Sequence, residues 1–236
     1  MEPILYALFL AGFAGLAMPL GGVLAWFEHS RDARLHRDIL AWVTSFGGGA
    51  LLSAVALVLI PEGSDLLAPV AVVSWLAVGG LVFYVVDRRL AVCSGNLSLL
   101  LAMLLDFLPE ALALGAMLGA EVGTALLLAM MIFLQNVPEG FAAFRGIWRG
   151  NSPAWHVLLL FVALAALGPL SAAVGLLWLV DQPQVLGAIM VFASGGILYL
   201  VFQDIAPKVH EAGGSAPSLG AVAGFSLGLA GHLLIG

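Results

Sequence analysis

Three acidic residues lie in the most apolar stretches of this chain with no Lys or Arg near them in sequence: Asp106 and Glu110 in LLAMLLDFLPEALALGAML, and Glu139 in LLLAMMIFLQNVPEGFAAF. A carboxylate inside such a segment is costly and marks a functional site by default. With no basic side chain to neutralise it, the expected partner is a cation from solution. The two segments share one design, a polar residue followed three and four places later by Pro-Glu: Asp106 with Pro109-Glu110, and Gln135 with Pro138-Glu139. On a helix, Asp106 and Glu110 share a face, as do Gln135 and Glu139, with Asn136 beside Glu139. Pro109 and Pro138 predict helix kinks at the site, because each lacks a backbone donor and clashes one turn back, freeing carbonyls near Leu105 and Leu134. The set of Asp106, Glu110, Gln135, Asn136 and Glu139 is dominated by oxygen. Oxygen ligands suit Mn, Mg or Ca, although Zn accepts carboxylates too. A blander reading exists, in which the prolines merely bend the helices and Gln135 bonds a neighbour. It accounts poorly for three unpaired carboxylates on adjacent helices.

The elements that must position these groups are set by composition. With 62% hydrophobic and 9% charged residues and a mean hydropathy of +1.11, the 236-residue chain falls outside the soluble class. Apolar stretches recur at about 4–26, 39–60, 70–86, 96–118, 122–144, 156–180, 184–206 and 217–235. Most approach the ~20 residues that cross hydrocarbon, and they are apolar on all sides rather than alternating, which excludes a barrel. The expectation is an all-α protein of eight transmembrane helices, a single domain over residues 1–236. Arg31, Arg34, Arg37, Arg88, Arg89, Arg145, Arg149 and Lys208 all fall in the connections after helices 1, 3, 5 and 7. Short basic loops stay in the cytoplasm, so both termini are expected outside a cell (inner) membrane. Met1-Glu2-Pro3-Ile4 has no basic region, so no cleaved signal peptide is expected. Cys93, the single cysteine, reads as an incidental thiol. No basic tract or aromatic platform suggests nucleic acid, and no Walker-type phosphate loop is present.

At the Pro-Glu pairs the chain resembles the ZIP (Zrt- and Irt-like) family of divalent metal transporters, whose fourth helix carries His-Asn-x-Pro-Glu-Gly and whose fifth carries His-x-x-Pro-Glu. The Gly-rich run from Phe46 to Glu62 resembles the family's helix 2, and the run from Phe192 to Pro207 its helix 7. The resemblance extends over essentially the whole chain and implies a 3+2+3 arrangement. In it, helices 1–3 and 6–8 form inverted repeats, and helices 1, 4, 5 and 6 move against 2, 3, 7 and 8. It also implies a homodimer and transport, without enzymatic chemistry, of Zn, Mn, Fe or Cd toward the cytoplasm.

The departures are specific. Asp106 and Gln135 stand where the family has histidines, Phe107 stands for its helix-4 Asn, Gly168 for an acid before a helix-6 proline, and Val58 for a helix-2 His. They imply one ion site rather than two. The loop from Asp87 to Asn96 is short and lacks the His-rich sensor of many relatives.

Other residues carry weaker signals. Glu62 and Asp65, at one end of helix 2, are candidates for an uptake path, and Asp204 for a release path. The competing reading of Asp204 is an interfacial ion pair with Lys208. His29 and His36 with Glu28 and Asp32 could accept metal, but at unspecific spacing. His156 is expected to begin helix 6, His232 to make a packing hydrogen bond, and Met103 to fill space one turn before Asp106. Two other functions compete: a proton-linked permease in which the three acids are protonated in turn, and a transport-dead membrane sensor.

Overall fold

Where side chains are apolar on every face, the backbone must satisfy its own polar groups, and a helix does so within one segment. The computed structural model describes residues 2–28, 33–92, 96–118, 122–148, 153–211 and 216–235, and among these there is no strand. They form eight helical rods. The first, α1, is Glu2–Phe27. The second, α2, is built from Ala33–Ala54, a π-turn at Val55–Leu59 and Ile60–Asp65. Then follow α3 (Pro69–Val92), α4 (Asn96–Met117) and α5 (Val122–Ile147). Rod α6 joins Ala154–Ala165, Leu167–Val174 and a π-turn at Gly175–Leu179. Rod α7 joins Pro183–Leu200, a π-turn at Val201–Ile205 and Ala206–Glu211. The last, α8, is Ala216–Ile235.

Seven stretches among the described residues are long and apolar enough to cross a membrane, the shortest of them 19 residues. Leu5, Phe9, Phe13 and Leu16 on α1, and Val70, Val73 and Leu81 on α3, turn large apolar side chains outward. In water such faces would be a liability; in a bilayer they are the solvent contact. The chain is a multi-pass membrane protein.

Two rods run on past prolines near which their apolar stretches end. The stretches at 39–60 and 184–206 stop near Pro61 and Pro207, yet both helices continue beyond. In each case a π-turn immediately precedes the proline: the Ile60 N–H bonds the Val55 carbonyl and the Ala206 N–H bonds the Val201 carbonyl, one residue further back than in an α-helix. The wider turn gives the proline ring room without ending the helix.

The rods pack as two groups of four. In the first, α1 lies along α5 and against α6, and α4 lies between α6 and α5; in the second, α2 lies along α8 and α3 along α7, with α2 also touching α7. Within each group the backbones meet at glycines. A Cβ built on Gly21 would lie 2.1 Å from the Val137 carbonyl oxygen, and one on Gly140 would lie 2.2 Å from that of Met18, so α1 and α5 each press a glycine onto the other's backbone. The same reciprocal device joins α4 to α6 (Gly115 on Ala172, Gly175 on Leu112), α2 to α8 (Gly49 on Ala221, Gly224 on Phe46) and α3 to α7 (Gly79 on Phe192, Gly195 on Leu76). In every case the accepting carbonyl belongs to the residue three before the glycine of its own helix. Contacts this close bring Cα–H groups onto carbonyl oxygens and let helices associate without a hydrophobic driving force.

The contact between the groups is of another kind. Along α2 and α5, the space beside Gly47 is filled by the ring of Pro138, 2.8 Å from where a Cβ would stand. No glycine among the described residues presses onto a backbone carbonyl across this divide as closely as in the four crossings.

Candidate metal centre

The sequence places the acids on α4 and α5, and the fold makes those two rods neighbours inside one group. Asp106, Glu110, Gln135 and Asn136 are all buried, and Glu139 is half-buried on the wall of a cavity. The Gln135 Nε2 donates to the Glu110 Oε2 at 2.5 Å, tying the two helices together at the site. The Asn136 Nδ2 donates to the Ala14 carbonyl at 3.1 Å, so α1 anchors the same turn from behind. Asp106 and Glu139 line the wall of one cavity. Both prolines sit inside unbroken helices, and Pro138 is buried against Gly47 of α2.

What these bonds leave over defines the chemistry. Asp106 Oδ1, Glu110 Oε1, Gln135 Oε1, Asn136 Oδ1 and Glu139 Oε2 are buried without a hydrogen-bond partner. Each orphaned acceptor costs about 1–3 kcal/mol, and together they form one polar cluster in an otherwise apolar interior. All five are oxygens, the donor atoms of a hard or borderline cation. Among the described residues no three His, Cys, Asp or Glu side chains converge closely enough to hold an ion as they stand.

A cavity of about 620 Å³ leads away from Asp106 and Glu139 between α2, α4, α5 and α7. Arg37, Arg145 and Lys208 stand on its walls, so it opens at the rod ends where the basic residues gather. Neither Arg145 nor Lys208 pairs with the site. Arg145 donates to the side chain and the backbone carbonyl of Glu28 at the end of α1, and Lys208 pairs with Asp204 at 2.7 Å on an exposed turn. At the opposite rod ends is a smaller pocket of about 310 Å³, with Glu62, Met117, Leu186 and Met190 among its lining.

The predicted residues therefore separate. Glu110 and Gln135 are joined by a hydrogen bond, Asp106 and Glu139 line one cavity, and Asn136 is held to the Ala14 carbonyl of α1. Glu62 lines the opposite pocket, while Asp65 is exposed at the end of α2. Asp204 lines the large cavity and forms the ion pair with Lys208. Met103, expected only to fill space, is buried on the cavity wall beside Asp106. His156 begins α6 with its ring against Trp155, and the His232 Nδ1 has no partner. The His29, Asp32 and Cys93 positions lie outside the described residues, as does the His36 side chain; of the expected Asp87 to Asn96 loop, residues 87–92 continue α3, Asn96 begins α4, and only 93–95 lie outside the described residues. Sequence reasoning did not foresee the Glu28–Arg145 pair, whose members sit far apart in the chain with nothing in their spacing to join them. The Ala14 carbonyl was equally invisible, since a backbone acceptor leaves no trace in residue types.

No family model matches this chain, and no curated protein matches it.

Proposed function

We propose that the protein carries a divalent cation of the Zn, Mn, Fe or Cd class across a cell (inner) membrane toward the cytoplasm, using Asp106, Glu110, Gln135, Asn136 and Glu139 as its binding set. The observation that carries this reading is that five buried oxygens on α4 and α5 lack hydrogen-bond partners, with Asp106 and Glu139 on the wall of a cavity and no Lys or Arg paired to any of the acids among the described residues. A cation supplies the missing partner for all five at once. In this reading all eight rods span the bilayer with both termini outside, and the basic rod ends face the cytoplasm. The group α1, α4, α5 and α6, which holds the whole binding set, then shifts against α2, α3, α7 and α8, so the ion meets each side in turn. This assignment accords with the resemblance to ZIP transporters, which also implies the homodimer.

A second reading has one specific support. Among the described residues no Lys or Arg pairs with Asp106, Glu110 or Glu139, and a proton-linked permease for another solute would protonate these three acids in turn.

Reconstitution into vesicles separates the two. Uptake of Mn, Fe, Zn, Cd and protons is measured for the wild type, Glu110→Gln and Glu139→Gln, which keep shape and remove charge. Metal uptake lost in both variants is the expected result; metal uptake untouched by either removes the proposed site, and proton flux indifferent to metal supports the permease.

A further inference from the structure

The large cavity is out of scale with a metal ion. A divalent cation with a shell of six waters occupies roughly 200 Å³, at about 30 Å³ for each water. The space between α2, α4, α5 and α7 is about 620 Å³. A volume of that size belongs to sites for small organic molecules.

The cavity walls match the size. Along α5 they run from Glu139 past Ala142 to Arg145, along α2 from Leu51 past Leu40 to Arg37, and along α7 from Leu200 past Ile205 to Lys208. Apart from the charged residues, Thr44 is the one polar side chain among the lining residues. Alkyl walls give a metal ion no ligand between the carboxylates and the basic rod ends, whereas an apolar body is drawn out of water onto them.

Charge decides the class of ligand. At the basic rod ends the charges cancel: Arg145 pairs with Glu28 and Lys208 with Asp204, while Arg37 and Glu211 carry one charge of each sign. The inner end is different. Asp106 and Glu139 pair with no Lys or Arg among the described residues, and Asp106 Oδ1 and Glu139 Oε2 are buried without a hydrogen-bond partner. Asp106 as a whole is only 3% exposed, although it lines the cavity. An anion is repelled from this end, and a neutral molecule leaves its charge uncancelled. A protonated amine meets both demands, because its ammonium brings a positive charge together with several N–H donors.

We propose that the cavity is a binding site for organic ammonium ions, with the ammonium on Asp106 and Glu139 and an apolar body against Leu40, Ala142, Leu200 and Ile205. The site does not depend on the metal reading. It shares two carboxylates with that reading, so a metal ion and an ammonium exclude one another there. It also names a solute class for the permease reading.

Equilibrium dialysis tests the proposal. The full chain in neutral-detergent micelles is titrated with 2-naphthylmethylammonium near neutral pH, with empty micelles as the blank. The expected result is saturable binding, at least about tenfold tighter than that of 2-naphthylmethanol or 2-naphthoate, which keep the rings and lose the positive charge. Asp106→Asn is expected to weaken it about tenfold, and Ala142→Trp, which fills the apolar part of the cavity, by about the same factor. Thermal unfolding checks each variant; Glu139→Gln replaces Asp106→Asn, and Leu200→Trp replaces Ala142→Trp, where the first choice does not fold. Equal binding of the three probes, or binding that neither substitution weakens, overturns the proposal, since partition into the micelle has that signature. Metal uptake by a chain that binds no naphthylmethylammonium removes this inference alone, whereas ammonium binding without metal uptake upholds it and removes the metal reading.

Discussion

Inside each group of four rods, helices meet backbone to backbone; between the groups they meet through side chains and the walls of cavities. The first kind of contact is rigid, because a carbonyl oxygen seated on a glycine cannot slide without striking the neighbouring turn. Hydrogen bonds reinforce it. Asn136 to Ala14 and Gln135 to Glu110 join rods of one group, and Tyr199 to Asp87, at 2.9 Å, and the Ala221 N–H to Ser45, at 3.0 Å, join rods of the other. The second kind, where the Pro138 ring rests on Gly47 and the large cavity opens, has fewer constraints. The difference bears on the proposed transport, because Asp106, Glu110, Gln135, Asn136 and Glu139 all lie on rods of one group and the divide runs past them.

The largest expected effect attacks the rigid contact. Gly115→Ala places a methyl within 1.9 Å of the Ala172 carbonyl oxygen, so α4 and α6 must separate, at a cost of about 2 kcal/mol or more. Thermal unfolding in detergent measures it, and an unchanged midpoint would refute the rigidity assigned to the crossings. Gly47→Ala is the matched substitution at the divide, 2.8 Å from Pro138. There a small shift of one group relieves the clash, so the expected stability loss is under about 1 kcal/mol, with a clear change in uptake rate. Equal losses at the two glycines would erase the distinction between the contacts.

Next in size is the effect of cargo. On the proposed function, metal at about ten times its dissociation constant is expected to stabilise the folded protein by roughly 1.4 kcal/mol, read as a rise in unfolding temperature that Glu110→Gln abolishes. A rise that survives in Glu110→Gln would place the ion elsewhere. The smallest effect belongs to Lys208→Ala, which removes an exposed ion pair with Asp204. It is expected to change stability by no more than about 1 kcal/mol, and a larger loss would show that this turn bears on the divide.

The helical class and the approximate rods were legible because they are written in local chemistry, in runs of apolar residues, and the acids of α4 and α5 stood out because acids are costly in such runs. The ends of α2 and α7 were not legible, because Pro61 and Pro207 signal a stop and only the π-turns ahead of them annul it. The glycines of α2 and α7 showed in sequence as unequal clusters, Gly47-Gly48-Gly49 and Gly195-Gly196, which supported an inverted repeat only weakly. Contact identifies Gly49 and Gly195 as the matched pair and leaves the others to side-chain packing. Likewise the release role weighed for Asp204 could not be separated from its ion pair with Lys208, since both follow from the same spacing.

The glycine crossings also bear on how the chain is made. None of the four joins rods that follow one another in sequence: α1 waits for α5, α4 for α6, α3 for α7, and α2 for α8. Synthesis therefore delivers four rods before any crossing can close, and the first group is complete only once α6 has emerged. The second group closes last, with the C-terminal rod. Gly79 presents a bare groove to lipid, or to whatever insertion machinery shelters it, until α7 emerges, and Gly49 does so until α8 emerges, so a chain truncated before α8 would carry the acids of α4 and α5 in a finished group on an unfinished frame.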